Sequence, residues 1–114
     1  MVMRTALPTY DFAGLVARPG DIVGRVSRGS ILGIGHRALM GFDGAIAHSA
    51  GPGDYFRIGS IREILDDTEL VSIIHPTRSL EETYARFARA NQLIGTSWWD
   101  MNCIQTTDYI AGIS

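Results

Sequence analysis

Two histidines and one cysteine are the residues of this 114-residue chain whose types and spacing could do chemistry. His36 and His48 lie twelve positions apart in a short apolar stretch, and Cys103 is the only cysteine. A cysteine attacks a carbonyl as its thiolate, so a base must take the thiol proton. A histidine can be that base at neutral pH, and a second polar group can orient it. We therefore consider Cys103 as nucleophile, His36 as base and His48 as the residue that orients the base.

Between the two histidines, the chain reads as a β-hairpin around the sequence Gly-Phe-Asp-Gly. A two-residue Asp43-Gly44 turn would put the histidines on opposite faces of the hairpin. An odd loop centred on Phe42, with Gly44 in a bulge, would put His36 directly opposite His48, with Cβ atoms about 5 Å apart. The catalytic interpretation requires a common face, so we predict the second register.

The cysteine follows a residue that favours a helix start. Asn102 is a good N-cap, so the last helix is predicted to begin there, with Cys103 in its first turn and Gly112 at its end. The N–H groups at a helix N-terminus stabilise a thiolate and can donate to a developing oxyanion. Contact between Cys103 and His36 cannot be derived from linear spacing.

Periodicity, caps and turns predict the remaining elements. A capping box of Ser60 and Glu63 predicts a short helix, and Pro76 closes the last strand. The predicted strands are residues 21–27, the hairpin arms 36–40 and 45–48, a short strand at 55–58, and a buried strand at 69–75.

The clearest element is a helix that begins at a Ser79–Glu82 capping box and ends at Gly95. Apolar and aromatic side chains recur there at steps of four and three, which predicts one buried face. That face consists of Leu80, Tyr84, Phe87, Asn91 and Ile94. Arg86 and Arg89 then fall on the solvent side.

This order of elements predicts a single α+β domain over residues 1–114, with a small antiparallel sheet packed against helices. Apolar residues are 46% of the chain and charged residues 19%, as in globular proteins. The ten arginines are scattered, which argues against nucleic acid as a partner. No apolar run approaches the roughly 20 residues of a membrane-spanning helix. A single cysteine cannot form an internal disulfide, so a cytoplasmic setting is expected.

The pattern resembles the lecithin:retinol acyltransferase-like family, which consists of circularly permuted relatives of the papain-like fold within the NlpC-type superfamily. Four features over residues 18–112 carry the resemblance. They are a Gly-Asp strand start (Gly20-Asp21-Ile22-Val23), a histidine that opens a strand (His36), a second histidine twelve residues on (His48), and a late Asn102-Cys103 pair that opens a helix.

The resemblance implies a permuted papain-like fold and a cysteine hydrolase or acyltransferase with Cys103, His36 and His48 as its triad. The substrate would be a small molecule, lipid or peptide with an ester, thioester or amide carbonyl, and no cofactor is implied. Related peptidases and amidases cleave peptide or cell-wall amide bonds, including those of host or partner proteins, which gives an alternative. The family often follows its cysteine with Glu-His-Phe, whereas this chain has Ile104-Gln105-Thr106, so an inactive binding module is a further alternative.

Structural interpretations stand beside these. Cys103 could be an inert buried thiol, and His36 could be a core histidine with satisfied hydrogen bonds. His48 could be a surface residue near the following turn. A zinc site is conceivable, since the ligand types suit the metal, but no short ligand spacing supports it and no metal is predicted. Its ligands would be His36, His48, His75 and Cys103.

Overall fold

The described part of the chain forms an α+β fold. The computed structural model describes residues 10–12, 15–27, 35–64 and 69–113. Its strands are β1 (Tyr10–Phe12), β2 (Leu15–Ala17), β3 (Ile22–Ser27), β4 (His36–Met40), β5 (Ala45–His48), β6 (Arg57–Ser60) and β7 (Glu69–His75). Its helices are a short 3-10 helix (Ile61–Glu63), α1 (Leu80–Leu93) and α2 (Cys103–Ala111). The α+β class predicted from the sequence is confirmed. Neither α-helix in the described ranges is long and apolar enough to cross a bilayer.

Five strands form one antiparallel sheet in the order β6-β5-β4-β3-β7, while β1 and β2 pair separately. The predicted hairpin arms coincide with β4 and β5. After the 3-10 helix the chain crosses to the far edge of the sheet, where β7 pairs with β3. The bounds predicted for β7 are right, but the prediction that it is buried is wrong for residues 72–75, the part of the strand whose burial the structure describes. As an edge strand it leaves Ser72 exposed and residues 73–75 half-buried.

The sheet carries an apolar core on each face. The first core joins the sheet to β2 and the 3-10 helix through Ala17, Val23, Ala38, Met40, Ile46, Ile61 and Ile64. The second core joins the sheet to α1 and α2 through Ile22, Leu39, Ala47, Phe56, Ala90 and Ile110. Both helices therefore cover the same face, and successive residues of β4 point to opposite cores.

The Gly-Asp pair before β3 ties the sheet to the start of α1. A Cβ on Gly20 would lie 2.7 Å from Thr83 Oγ1, and the φ of Gly20 is +96°. Both the close contact and the left-handed backbone conformation therefore require glycine. Asp21 is buried and accepts hydrogen bonds from the backbone N–H groups of Arg18 at 2.9 Å and Thr77 at 2.8 Å. The pair thus fixes the turn into β3 and the segment that leads into α1.

The buried face of α1 differs from the predicted one. Helix α1 begins at the N-cap Ser79, as predicted. Its buried residues are Thr83, Arg86 and Ala90. Four residues of the predicted face, namely Leu80, Tyr84, Asn91 and Ile94, are exposed. The helix is therefore rotated relative to the orientation that its apolar periodicity predicts.

Arg86 explains this rotation. Its side chain is 3% exposed, and its Nη1 donates to the carbonyls of Gly20 and His75, both at 2.8 Å. Its Nη2 donates to the Glu82 carboxylate at 2.6 Å. Nη1 and Nη2 are thus paired, while the buried Nε has no hydrogen-bond partner among the described residues. Because two of its three nitrogens are paired, the guanidinium can be buried, and the prediction that Arg86 faces solvent is wrong. Arg89 is half-buried and donates to the carbonyl of Ile110 in α2 at 3.0 Å.

Candidate active site

The loop between β4 and β5 sets the relative positions of the two histidines. Asp43 and Gly44 have φ values of 56° and 76°, and the Ala45 N–H donates across them to the Phe42 carbonyl at 2.9 Å, as in a type I′ turn. The Gly41 N–H donates to the Ala45 carbonyl at 2.8 Å. Gly41 and Phe42 therefore both face Ala45, which makes a one-residue bulge. The loop is a two-residue turn with a bulge, so the predicted odd loop centred on Phe42 is wrong.

The bulge keeps both imidazoles on one face. Leu39 pairs with Ala47, so Ala38 rather than His36 lies opposite His48. The predicted direct pairing of the histidines is therefore wrong, although their predicted common face is correct. As diagonal neighbours they remain within reach. Nε2 of His36 lies 2.6 Å from Nδ1 of His48, and the rings meet edge to face.

An acidic and a basic side chain lie beyond His48. Arg57 of β6 is the strand partner of His48, and its Nη2 lies 2.9 Å from Glu63 Oε1. Its Nε lies 3.2 Å from Asp54 Oδ1. Glu63 Oε1 is also 3.4 Å from His48 Nε2, a buried nitrogen that has no hydrogen-bond partner among the described residues. Glu63 Oε2 accepts from the Ser60 N–H at 2.8 Å, which completes the predicted capping box. The sequence identified Glu63 only as a cap.

Cys103 is the first residue of α2, as the Asn102 cap predicts. Asn102 Oδ1 accepts from the N–H groups of Ile104 at 3.0 Å and Gln105 at 2.9 Å. The Gln105 side chain in return accepts from the Asn102 N–H at 2.9 Å. The cap thus engages the N–H groups of Ile104 and Gln105 but not the N–H of Cys103. Gly112, with φ of 81°, ends the helix as predicted.

Cys103 and His36 line one cleft of about 280 Å³ at the start of β4, together with Arg25, Pro52 and Trp98. By strand alternation His36 belongs to the face of the first core, whereas α2 covers the opposite face. The two residues therefore line the cleft from different elements, at the point where β4 begins. Cys103 Sγ donates to the Gly35 carbonyl at 3.9 Å. Within the described ranges this carbonyl, rather than His36, is its hydrogen-bond partner.

Both imidazoles are held neutral. Burial lowers the pKa of His36 to about 4, and the nearby His48 and Arg25 add to this effect. Burial also lowers the pKa of His48, although the Glu63 carboxylate opposes this in part. Hydrogen bonds from Arg57 and from the Ser60 N–H lower the pKa of Glu63 to about 2. At neutral pH the site therefore contains two neutral rings, with the ionised Glu63 carboxylate beside His48.

We expect the free energy of unfolding to fall as the pH is lowered from about 6.5 to about 4. Over that interval the unfolded chain protonates His36 while the folded chain, in which its pKa is about 4, does not. The loss should reach about 3 kcal/mol and be absent above the ordinary histidine pKa. Urea unfolding at a series of pH values measures it. His36→Gln should show a shallower loss, and a flat wild-type profile between pH 6.5 and 4.5 would contradict the pKa of His36.

The third histidine lies apart from this cluster. His75 Nε2 is 3.8 Å from Asp108 Oδ1, which Arg37 also contacts at 3.3 Å. Among the residues that the structure describes, no group of three or more histidine, cysteine, aspartate or glutamate side chains is arranged to hold a metal ion. The zinc alternative would need four such residues together, namely His36, His48, His75 and Cys103.

The sequence matches no protein-family model and no curated protein. The chemistry of the site is therefore argued from its own geometry. A sulfur at a helix N-terminus and a neutral imidazole share one cleft, and a second imidazole contacts the first. Such an arrangement can activate a thiol, hold an oxyanion and protonate a leaving group.

Proposed function

We propose that this chain is a cysteine hydrolase or acyltransferase in which Cys103 is the nucleophile, His36 the base and His48 the residue that orients the base. One observation carries the proposal. Cys103, at the N-terminus of α2, lines the same cleft as His36, whose Nε2 is 2.6 Å from His48 Nδ1. The resemblance of the Gly20-Asp21, His36, His48 and Asn102-Cys103 pattern to the lecithin:retinol acyltransferase-like family supports the same roles and a permuted papain-like fold.

The reaction begins when the thiol proton of Cys103 moves to His36. Because Nε2 of His36 is engaged with His48, Nδ1 is the nitrogen available to a group in the cleft. The thiolate forms a bond to the substrate carbonyl carbon, and the π electrons move to the oxygen. The N–H of Cys103 donates to this oxyanion. The tetrahedral intermediate then expels the leaving group, which takes the proton from His36 and leaves an acyl-thioester on Cys103.

The acyl group then leaves by the reverse sequence. Water or a second nucleophile gives its proton to Nδ1 of His36 as it attacks the thioester carbonyl, and the thiolate recovers that proton on departure. Water makes the protein a hydrolase, and an alcohol or amine acceptor makes it an acyltransferase. We propose an ester, thioester or amide substrate in the cytoplasm. Peptide and cell-wall amide bonds form the peptidase alternative.

The test is an acyl adduct on Cys103. The protein is mixed at pH 7 with an aryl ester, an alkyl thioester and a peptide anilide, quenched in acid within seconds, and measured by intact mass and peptide mapping. We expect one added acyl group on Cys103 with at least one donor, and neither an adduct nor release of the leaving group above the uncatalysed rate in Cys103→Ser. Measuring the released leaving group detects turnover even when the acyl-thioester is short-lived. If folded protein yields neither adduct nor turnover with any donor, the proposal fails.

A catalytically inactive binding module is the second candidate. It is favoured by the hydrogen bond of Cys103 Sγ to the Gly35 carbonyl, which leaves the thiol without a bond to the base. Alkylation by iodoacetamide separates the two candidates. An activated thiol reacts rapidly below pH 7, whereas an ordinary cysteine, with a pKa of about 8.5, reacts slowly there.

A further inference from the structure

Glu63 stands at the end of the histidine pair and faces its outer nitrogen. Its Oε1 is 3.4 Å from Nε2 of His48. That nitrogen is buried and has no aligned hydrogen-bond partner among the described residues. The Glu63 carboxylate stays ionised because Arg57 and the Ser60 N–H both donate to it, which lowers its pKa to about 2. An ionised carboxylate has lone pairs and no proton to give.

This charge distinguishes the two ways of placing protons on the neutral histidine pair. With Nε2 of His48 protonated, an N–H faces Glu63, and Nδ1 of His48 accepts from the Nε2–H of His36. With Nε2 of His48 unprotonated, its lone pair faces the carboxylate. Nδ1 of His48 then carries the proton and donates to Nε2 of His36. The first arrangement leaves Nδ1 of His36 unprotonated, whereas the second blocks it with a proton. A carboxylate near Nε2 favours the first.

We propose that Glu63 is a positioning residue that fixes the tautomer of His48, and through His48 that of His36, so that Nδ1 of His36 is free to take a proton in the cleft. This inference rests on the proposed function, in which that proton comes from Cys103. Arg57 pairs with both Asp54 and Glu63, while the Ser60 N–H independently anchors the Glu63 carboxylate through Oε2 at 2.8 Å.

Glu63→Gln is the decisive variant. The glutamine oxygen can still accept from the Ser60 N–H, while its NH₂ group can donate to His48 Nε2 and so favour the wrong tautomer. Two-bond ¹H–¹⁵N correlation spectra of histidine-labelled protein at pH 7.5 report which ring nitrogen carries the proton, and His75→Gln assigns the third ring. We expect Nε2-protonated His48 in the wild type and a loss of about tenfold in its tautomer ratio in Glu63→Gln. The rate of Cys103 alkylation at pH 7 should fall about three- to tenfold.

Two further variants separate tautomer control from a structural effect. Arg57→Met removes the ion pair but keeps the carboxylate, so Nε2 of His48 should stay protonated. Glu82→Gln alters a comparable glutamate that accepts from Arg86 on α1, and it should leave the spectra of His36 and His48 unchanged. Equal loss of the tautomer in Arg57→Met and Glu63→Gln would overturn the proposal, because it would indicate disruption of the loop.

The pH dependence of the Cys103 alkylation rate gives an independent test of the role of Glu63. The groups whose charges act on the two rings are Arg25 of β3, Asp54 of the loop after β5, Arg57 of β6 and Glu63 of the 3-10 helix. In Glu63→Gln the alkylation rate should fall at pH 7 and recover toward the wild-type rate at high pH, where the thiol ionises without a base. An unchanged profile together with an unchanged His48 tautomer would overturn the inference.

Failure of the proposed function leaves a different signature. If the wild type forms no acyl adduct and shows no turnover while the His48 tautomer responds to Glu63→Gln, catalysis is rejected and tautomer control is supported. If adducts form but the tautomer does not respond, the proposed function holds and the role of Glu63 is rejected.

Discussion

Replacing His36 with glutamine should slow acylation of Cys103 by about 10²- to 10⁴-fold, the range that a general base contributes. Glutamine retains hydrogen-bonding groups and much of the bulk of the imidazole, but it cannot take the thiol proton. His36 is the ring that lines the cleft with Cys103, and its pKa of about 4 leaves it unprotonated at neutral pH. Rapid-quench mass spectrometry with the donor that labels the wild type measures the rate.

His75→Gln is the matched control, since His75 lies beside Asp108 rather than in the histidine pair. We expect its acylation rate to stay within about twofold of the wild-type rate, as for a substitution remote from the reacting groups. A His36→Gln protein that is folded and acylates at the wild-type rate would show that His36 is not the base. Far-ultraviolet circular dichroism and the urea midpoint verify folding.

Arg86→Ala should lower the free energy of unfolding by about 3–5 kcal/mol, because it leaves buried carbonyls unpaired and removes the buried partner of an ion pair. The substitution leaves two carbonyls, those of Gly20 and His75, and the Glu82 carboxylate without the donor that they share. Since these groups lie at the ends of β3, β7 and α1, the loss is expected to affect the whole domain. Urea denaturation measures it.

Two controls define this effect. Arg86→Lys keeps the charge but not the planar fork, so we expect it to recover only part of the lost stability. Arg62→Ala, at an exposed position, should change the free energy of unfolding by less than about 0.5 kcal/mol. A loss below about 1 kcal/mol in Arg86→Ala would mean that water replaces the guanidinium without cost.

Local rules account for what the sequence predicts correctly. The arms of the hairpin follow from apolar residues bounded by glycine, and both ends of α2 follow from Asn102 and Gly112. The 3-10 helix follows from the Ser60–Glu63 capping box, whose two hydrogen bonds join residues three positions apart. In each case the residues that determine the element lie within a few positions of each other, so the sequence alone is enough to predict it.

The predictions that are wrong depend on contacts between segments far apart in the chain. Arg86 is buried because carbonyls of Gly20 and His75 converge on it from distant segments, which the periodicity of α1 cannot reveal. The hairpin register is wrong because the sequence does not distinguish a bulge before the turn from a bulge after it. The edge position of β7 depends on a crossover that propensity does not specify.

Glu63 was outside the candidate site for the same reason. The sequence shows its short-range partner, Ser60, but its contact with His48 requires that β6 pair with β5 and that Arg57 stand beside His48. A charged residue that follows a strand next to a candidate histidine is the signal that could have identified it. That signal becomes specific only when the strand order is known.

The extra residue in the β4 arm has an evolutionary consequence. Because side chains alternate along a strand, the in-frame loss of the single codon for Gly41 would move one imidazole to the opposite side of the sheet while leaving the Asp43-Gly44 turn intact. The pairing of the two imidazoles, on which the proposed chemistry depends, would then be lost in one mutational event. Inheritance of the paired rings is thus constrained by the number of residues in the hairpin as well as by their identity.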